Sequence, residues 1–335
     1  HPAPSPGGTT APTMGGVTDL IAGTPLPLPA TGPGGQGAAR AGAGAASVVA
    51  AEAAAASGVR VAALTDLADL RAVQALFDSI WHPAPDNPPV TVELMRALTK
   101  AGNPLFGAYA DGQLVGACVA FFAAPSGTAL HSHVTGVAPS AQRRSVGRAL
   151  KLHQRAWALQ HGLDRISWTF DPLVRRNAWF NLGRLAATPV EYLPDFYGPM
   201  ADTINASDQS DRLLTCWSLE APAVVRAVAG QPVEVDLPAL LAAGAATVLT
   251  VGPDGRPEAR PGTPGVPALI AVPADVETLR ARDATLAAEW RIAVRATLGG
   301  ALTAGARVRG FAREGWYVVD GPGLPGAPEA GRATP

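Results

Sequence analysis

Lysine is nearly absent from this chain. Only Lys100 and Lys151 occur in 335 residues, so 24 of the 26 basic side chains are arginine, a bias typical of a GC-rich, bacterial coding sequence. Charge of either sign is scarce at 16%, and 27 acidic residues bring the net to −1, which excludes the broadly basic surface of a non-specific nucleic-acid binder. Long hydrophobic runs are missing as well. No stretch of about 18 residues is apolar and free of Gly, Pro and charge, so no membrane span is expected. The Ala-rich run 41–56 comes nearest, but it contains Glu52 and glycine and lacks Leu, Ile and Phe. Cysteine is limited to Cys118 and Cys216, far apart in the apolar runs LVGACVAFF and RLLTCWSL. Free buried thiols, no metal site and a reducing compartment follow. No basic, apolar and cleavage regions stand in secretory order, so the expected location is cytoplasmic.

What the chain has in excess is glycine and proline, 37 and 32 residues, alongside 47% hydrophobic residues. That balance fits a folded protein with loose ends, of about two domains by length. Residues 1–58, rich in Pro, Gly and Ala, read as a flexible leader. From residue 59 the texture changes. Thr65 caps a helix carrying Leu67, Leu70, Val73, Phe77 and Ile80, and Thr91 caps a second ending at Gly102. Two apolar runs flank Asp111-Gly112, a hairpin signal. HSHVTGVAP is a strand, SVGRALKLHQRAWALQHG a helix, RISWTF a strand, and VRRNAWFNLGRLAA a helix opened by Asp171-Pro172. VEYLP and RLLTCWSL close a unit at residue 220. Residues 221–322 read as a smaller α/β unit and 323–335 as a flexible tail. The fold class is α/β (α+β), a mixed, mostly antiparallel sheet flanked by helices.

Local charge singles out residues 140–184. Nine basic residues against Asp164 and Asp171 give this segment +7 and leave −8 for the rest. A positive island in a neutral protein suits one anionic ligand. A strand ending at Val137 passes through Gln142, Arg143, Arg144, Ser145, Val146 and Gly147 into a helix N-terminus, where free N–H groups favour phosphate. Gly147 lets a pyrophosphate approach the backbone. Arg148 follows on the same helix.

VAPSAQRRSVGRAL resembles the acyl-CoA motif of the GNAT acetyltransferase superfamily, Q/R-x-x-G-x-G/A after a strand. Gln142 and Gly147 match it; Ser145 stands where glycine is usual. The element order over 59–220 is similar to the GNAT succession. LHSHVTGVAP, ISWTFDPLVRRNAWFNLGRL and SDRLLTCWSL resemble a branch of predicted acetyltransferases with a C-terminal extension, here expected to shape the acceptor site or a homodimer contact.

The resemblance implies acetyl-CoA as acyl donor, held by Val137, Gln142, Arg143, Arg144, Ser145, Val146, Gly147, Arg148 and Asn177, in a wedge where two strands splay, and direct transfer to a small-molecule amine. Many GNAT enzymes use a tyrosine on the last helix as acid; Leu182 takes that position, leaving Tyr192 and Tyr197 as substitutes. His133 is the expected base, with His131 second. Trp168, Asp171, Asp211 and Arg212 are candidate acceptor contacts. A net of −5 between residues 186 and 220 hints at a cationic acceptor. The competing reading is a non-catalytic acyl-CoA-binding sensor or scaffold.

Overall fold

The computed structural model describes residues 36–84, 87–125, 127–198, 208–263 and 265–321. Residues 1–35 of the expected leader and the tail from 323 lie outside the described residues.

Seven strands form the first sheet: β1 (Arg60–Ala63), β2 (Leu105–Ala110), β3 (Gln113–Ala123), β4 (Ala129–Val137), β5 (Arg165–Phe170), β6 (Thr188–Leu193) and β7 (Arg212–Ser218), in the order β1-β2-β3-β4-β5-β7-β6. β2 and β3 make the expected hairpin, with Asp111 and Gly112 at φ 50° and 77° in its turn, the positive values a tight two-residue connection needs. β4 and β5 are parallel, joined by the helix α4 (Val146–Gln160), because a parallel pair requires such a crossover.

The strands alternate between two cores. On one face α2 (Leu67–Trp81) and α3 (Val92–Lys100) bury Leu70, Val73, Phe77 and Met95 against Leu105 and Val119. On the other, α4 buries Val146, Ala149 and Leu150 against Phe106 and Cys118. The Thr91 hydroxyl caps α3 by accepting from Leu94 N at 3.2 Å, whereas α2 begins one residue later than expected, with Asp66 at its cap.

The leader reading requires correction over its last third. Residues Gln36–Ala56 form a helix, α1, that packs Ala43, Ala46, Ala50 and Ala53 into the core. Alanine is the best helix former, and positions spaced three, four and three apart share one face, so small side chains give close packing without large apolar groups. Gln160 Nε2 of α4 donates to Ser47 Oγ at 2.9 Å and ties α1 down.

Beyond β7 come α6 (Pro222–Val228), α7 (Leu237–Ala242), α8 (Val276–Arg282), α9 (Ala284–Val294), a π turn (Arg295–Gly299) and α10 (Gly300–Thr303). They surround a second sheet of β8 (Ala246–Val251), β9 (Pro257–Ala259), β10 (Ala268–Ala271), β11 (Arg307–Ala312) and β12 (Trp316–Asp320), ordered β11-β12-β10-β8-β9. Trp217, Leu213 and Ile166 of the first sheet share a continuous core with Trp290, Val294, Phe311 and Tyr317 of this unit. The change of texture near residue 220 therefore marks a change of sheet within one core.

Candidate active site

β4 and β5 pair over only three positions, Ala129 with Arg165, Leu130 with Ile166 and His131 with Ser167, and then part. Ser132–Val137 and Trp168–Phe170 line the two arms of the fork. On its other side β4 stays paired to β3, with a bulge between Ser132 and Val134 that leaves His133 without a partner. Bulges re-aim side chains. His131 and His133 both lie against Phe121, at ring-centroid distances of 5.2 and 5.9 Å, while Val137 packs with α4, so strict alternation breaks at the bulge.

The arm of β4 leads to the motif. A 3-10 turn (Pro139–Ala141) is followed by Arg143 and Ser145 at φ 67° and 62°, and α4 starts at Val146. This left-handed conformation is one that glycine takes freely and that strains any residue with a Cβ, Ser145 included. Among the described residues the N–H groups of Arg143 through Gly147 donate to no backbone carbonyl. An added Cβ on Gly147 meets nothing nearer than Val137 Cγ2 at 3.8 Å, so this cradle is open on the protein side. Arg148 Nη2 donates to Val228 O at 2.6 Å, and burial together with the nearby charge of Arg184 holds its pKa below the usual arginine range.

The two faces of the fork differ. On the open face His131 Nδ1 shares a 3.1 Å hydrogen bond with Ser167 Oγ, and Thr169 Oγ1 lies 3.0 Å from the Tyr197 hydroxyl. Burial, and then the charges of His133 and Lys151, push the His131 imidazole down to about 4. The protein crowding His133 lowers its pKa too, partly offset by the Pro89 carbonyl, so both rings are neutral proton acceptors at pH 7. On the α4 face Ser132, Lys151, Gln154, Trp168 and Asn181 form a buried polar cluster. Among the described residues no group of His, Cys, Asp and Glu is arranged to hold a metal ion, and no helix is long and apolar enough to cross a membrane.

The model of the acetyltransferase (GNAT) family matches residues 42–183, which run from within α1 through the fork and the motif helix. These residues form a GNAT-family domain. Solved structures similar to it include the ribosomal-protein-S18-alanine N-acetyltransferase of Escherichia coli (13% identity, 48% of this chain and 94% of that one, TM-score 0.38). The ribosomal-protein-S5-alanine acetyltransferase of Vibrio fischeri is similar at 14% identity over 49% of this chain and 94% of its own, TM-score 0.40. So is yncA of Salmonella typhimurium, solved with its cofactor acetyl-CoA (16% identity, 50% and 96% coverage, TM-score 0.38). No curated protein sequence matches the chain.

The expected acceptor contacts are differently employed. Asp171 is buried in two-pronged contact with Arg291, 2.8 and 2.9 Å, and also meets Arg280. It accepts from Leu173 N at 2.9 Å in a turn, and the helix α5 (Arg175–Ala178) starts only after Val174, so Asp171 is not its cap. Asp211 accepts from Arg295 and, at 2.7 Å, from the Tyr192 hydroxyl. Arg212 is buried beside Asp211, its guanidinium 5.3 Å from the Tyr197 ring centroid. Trp168 is turned into the core, its Nε1 donating to Asn181 Oδ1 at 3.2 Å. Two acids of the negative stretch that hinted at a cationic acceptor, Asp208 and Asp211, are thus met by arginines of the C-terminal unit, Asp208 pairing with Arg280 and Arg291. Tyr192 is locked, its pKa driven far up by burial and Asp211. Tyr197 alone of the two tyrosines reaches the open face of the fork.

Asn177 lies half-buried on α5, which runs into a π turn (Trp179–Arg184). Leu182 is buried there. The sequence offered Lys151 only as one of the nine basic residues of segment 140–184; the absence of any acidic residue at i±3 or i±4 from it was the available signal. Two more of those nine are structural: Arg155 donates twice to Leu219 O, and Arg144 to Ser57 O and Gly58 O.

Proposed function

We propose that this GNAT domain is an acyl-CoA-dependent N-acyltransferase that takes acetyl-CoA as donor and an amine as acceptor. The observation that carries the reading is the continuity of the fork with the motif loop. β4 leaves β5 after His131 and ends at a helix N-terminus whose N–H groups are unclaimed and whose Gly147 presents no Cβ. Such a terminus suits a pyrophosphate, with Arg143 and Arg148 adding charge, and the unpaired β4 backbone beyond His131 supplies main-chain donors toward a thioester carbonyl.

The acceptor reaches the fork from the open face, since α4 covers the other. His133, exposed at the bulge and neutral at pH 7, takes the proton that the attacking nitrogen sheds. Tyr197 borders the same face through Thr169 and positions the acceptor. Holding donor and amine in one fork supplies much of the rate.

Thiol release from acetyl-CoA, measured with a panel of small-molecule amines, tests the reading. Release stimulated above hydrolysis by at least one amine is expected. Tight acetyl-CoA binding with no amine-stimulated release would instead make the chain a binder without turnover.

A further inference from the structure

Lys151 spans the apex of the fork. Its Nζ donates to Ser132 Oγ on β4 at 2.9 Å and stands 4.0 Å from the ring centroid of Trp168 on β5. Ser132 and Trp168 are the first residues past the last bridging pair, so the amine sits where the strands part. The side chain is buried, and among the described residues no carboxylate pairs with it. Cys118 faces it from β3 and Gln154 from its own helix, the latter linked through Ser132 Oγ at 3.1 Å, while His131 on the other face of β4 is near enough for the two charges to interact. The Gln154 amide nitrogen is buried without a partner among the described residues. Burial pushes the Cys118 thiol up to about 12 and the His131 ring down to about 4, so both are neutral at pH 7. The same burial, only partly offset by Cys118, brings Lys151 down to about 7. An amine in that range both holds and gives up a proton near neutrality. Leu182, at the place of the usual acid, has no proton to give.

We propose that Lys151 is the proton donor to the departing thiolate of the acyl donor. The inference rests on the acyltransferase reading above. As the acceptor nitrogen forms its bond to the acyl carbon, the C–S bond breaks and its electron pair stays on sulfur; Lys151 Nζ delivers a proton there. The proton shed by the acceptor nitrogen goes to His133, and exchange with water restores both groups.

The scarcity of lysine makes the test direct. Protein labelled with nitrogen-15 in its lysine side chains has two Nζ signals, and Lys100→Arg assigns the one from Lys151. That signal is expected to titrate near pH 7, with free CoA raising the midpoint as the thiolate pairs with the ammonium. In Lys151→Met the turnover number should fall about 10²-fold or more while KM for acetyl-CoA changes little. The fall in rate as pH rises through about 7 should vanish, because it reports loss of the acid form. A nitrothiophenyl acetyl ester, whose thiolate leaves without a proton, should narrow the gap between wild type and variant. A Lys151 that titrates in the ordinary lysine range and ignores CoA overturns the proposal, as does a Lys151→Met enzyme that keeps its alkaline limb. If that variant does not fold, the titration of the wild-type amine decides. Failure of the wild-type chain to bind acetyl-CoA at all would overturn the acyltransferase reading instead.

Discussion

Asp171, the residue that follows β5, and Arg291 of α9 hold each other by two hydrogen bonds of 2.8 and 2.9 Å in the buried seam between the two sheets. Arg280 and Asp208 complete the group. Burial by itself raises the Asp171 pKa, but Arg291 and Arg280 outweigh it and hold the carboxyl well below the usual carboxylate range. Arg291→Met leaves this carboxylate buried with fewer partners and should cost about 3–5 kcal/mol in denaturant unfolding. A depressed carboxylate contributes stability fully above its unfolded pKa of about 3.9 and loses it as pH falls toward the folded value. Wild-type stability should therefore drop below about pH 4, and Asp171→Asn should flatten that drop.

The same seam makes the C-terminal unit part of the fold of the GNAT domain. A chain ending at residue 220 would uncover Trp217, Leu213 and Asp171, all buried in the full chain. It should aggregate or show no cooperative melt by circular dichroism, while a chain of residues 36–321 melts in one transition.

Ser145 at φ 62° bears a strain that glycine does not. Ser145→Gly should raise stability by about 1 kcal/mol, read as a higher melting temperature. Acetyl-CoA affinity should hold or tighten; a clear loss would show the hydroxyl to be a ligand.

His133→Ala should reduce turnover with little change in stability, since the side chain is exposed. The wild-type rate should rise with pH through a value below 6.5, as the lowered pKa requires, and that acid limb should disappear in the variant. The two tyrosines should separate cleanly. Tyr192→Phe removes a buried 2.7 Å bond to Asp211 and should cost about 1–2 kcal/mol of stability, whereas Tyr197→Phe should affect KM for the acceptor and leave the melt unchanged.

Much of this arrangement was legible in the sequence. The β2–β3 hairpin followed from Asp111-Gly112, and the succession of β4, α4 and β5 from its apolar periodicity, whereas β1 and the placement of β7 between β5 and β6 did not. The α1 helix was hidden because its buried face is alanine, which carries little hydrophobic signal; only the spacing of Ala43, Ala46, Ala50 and Ala53 gave it away. Asp171 and Asp211 have the chemistry of acceptor contacts, and their sequence neighbours do not reveal Arg280, Arg291 and Arg295, which arrive from 84 to 120 residues away. Lys151 was concealed likewise, since its meaning lies in Ser132 and Trp168 on two other strands.

Calorimetric titration of acetyl-CoA into Gly147→Ala and Gly147→Glu, beside the wild type, tests the placement of the donor most directly. An added Cβ at Gly147 meets only ordinary contact with Val137, and alanine in a helix is about 0.5–1 kcal/mol better than glycine, so the fold should be kept. With the donor's phosphates against this turn, affinity should weaken in the alanine variant and vanish in the glutamate variant. Unchanged affinity in both, with intact melts, would contradict the assignment of this fork as the acyl-CoA site.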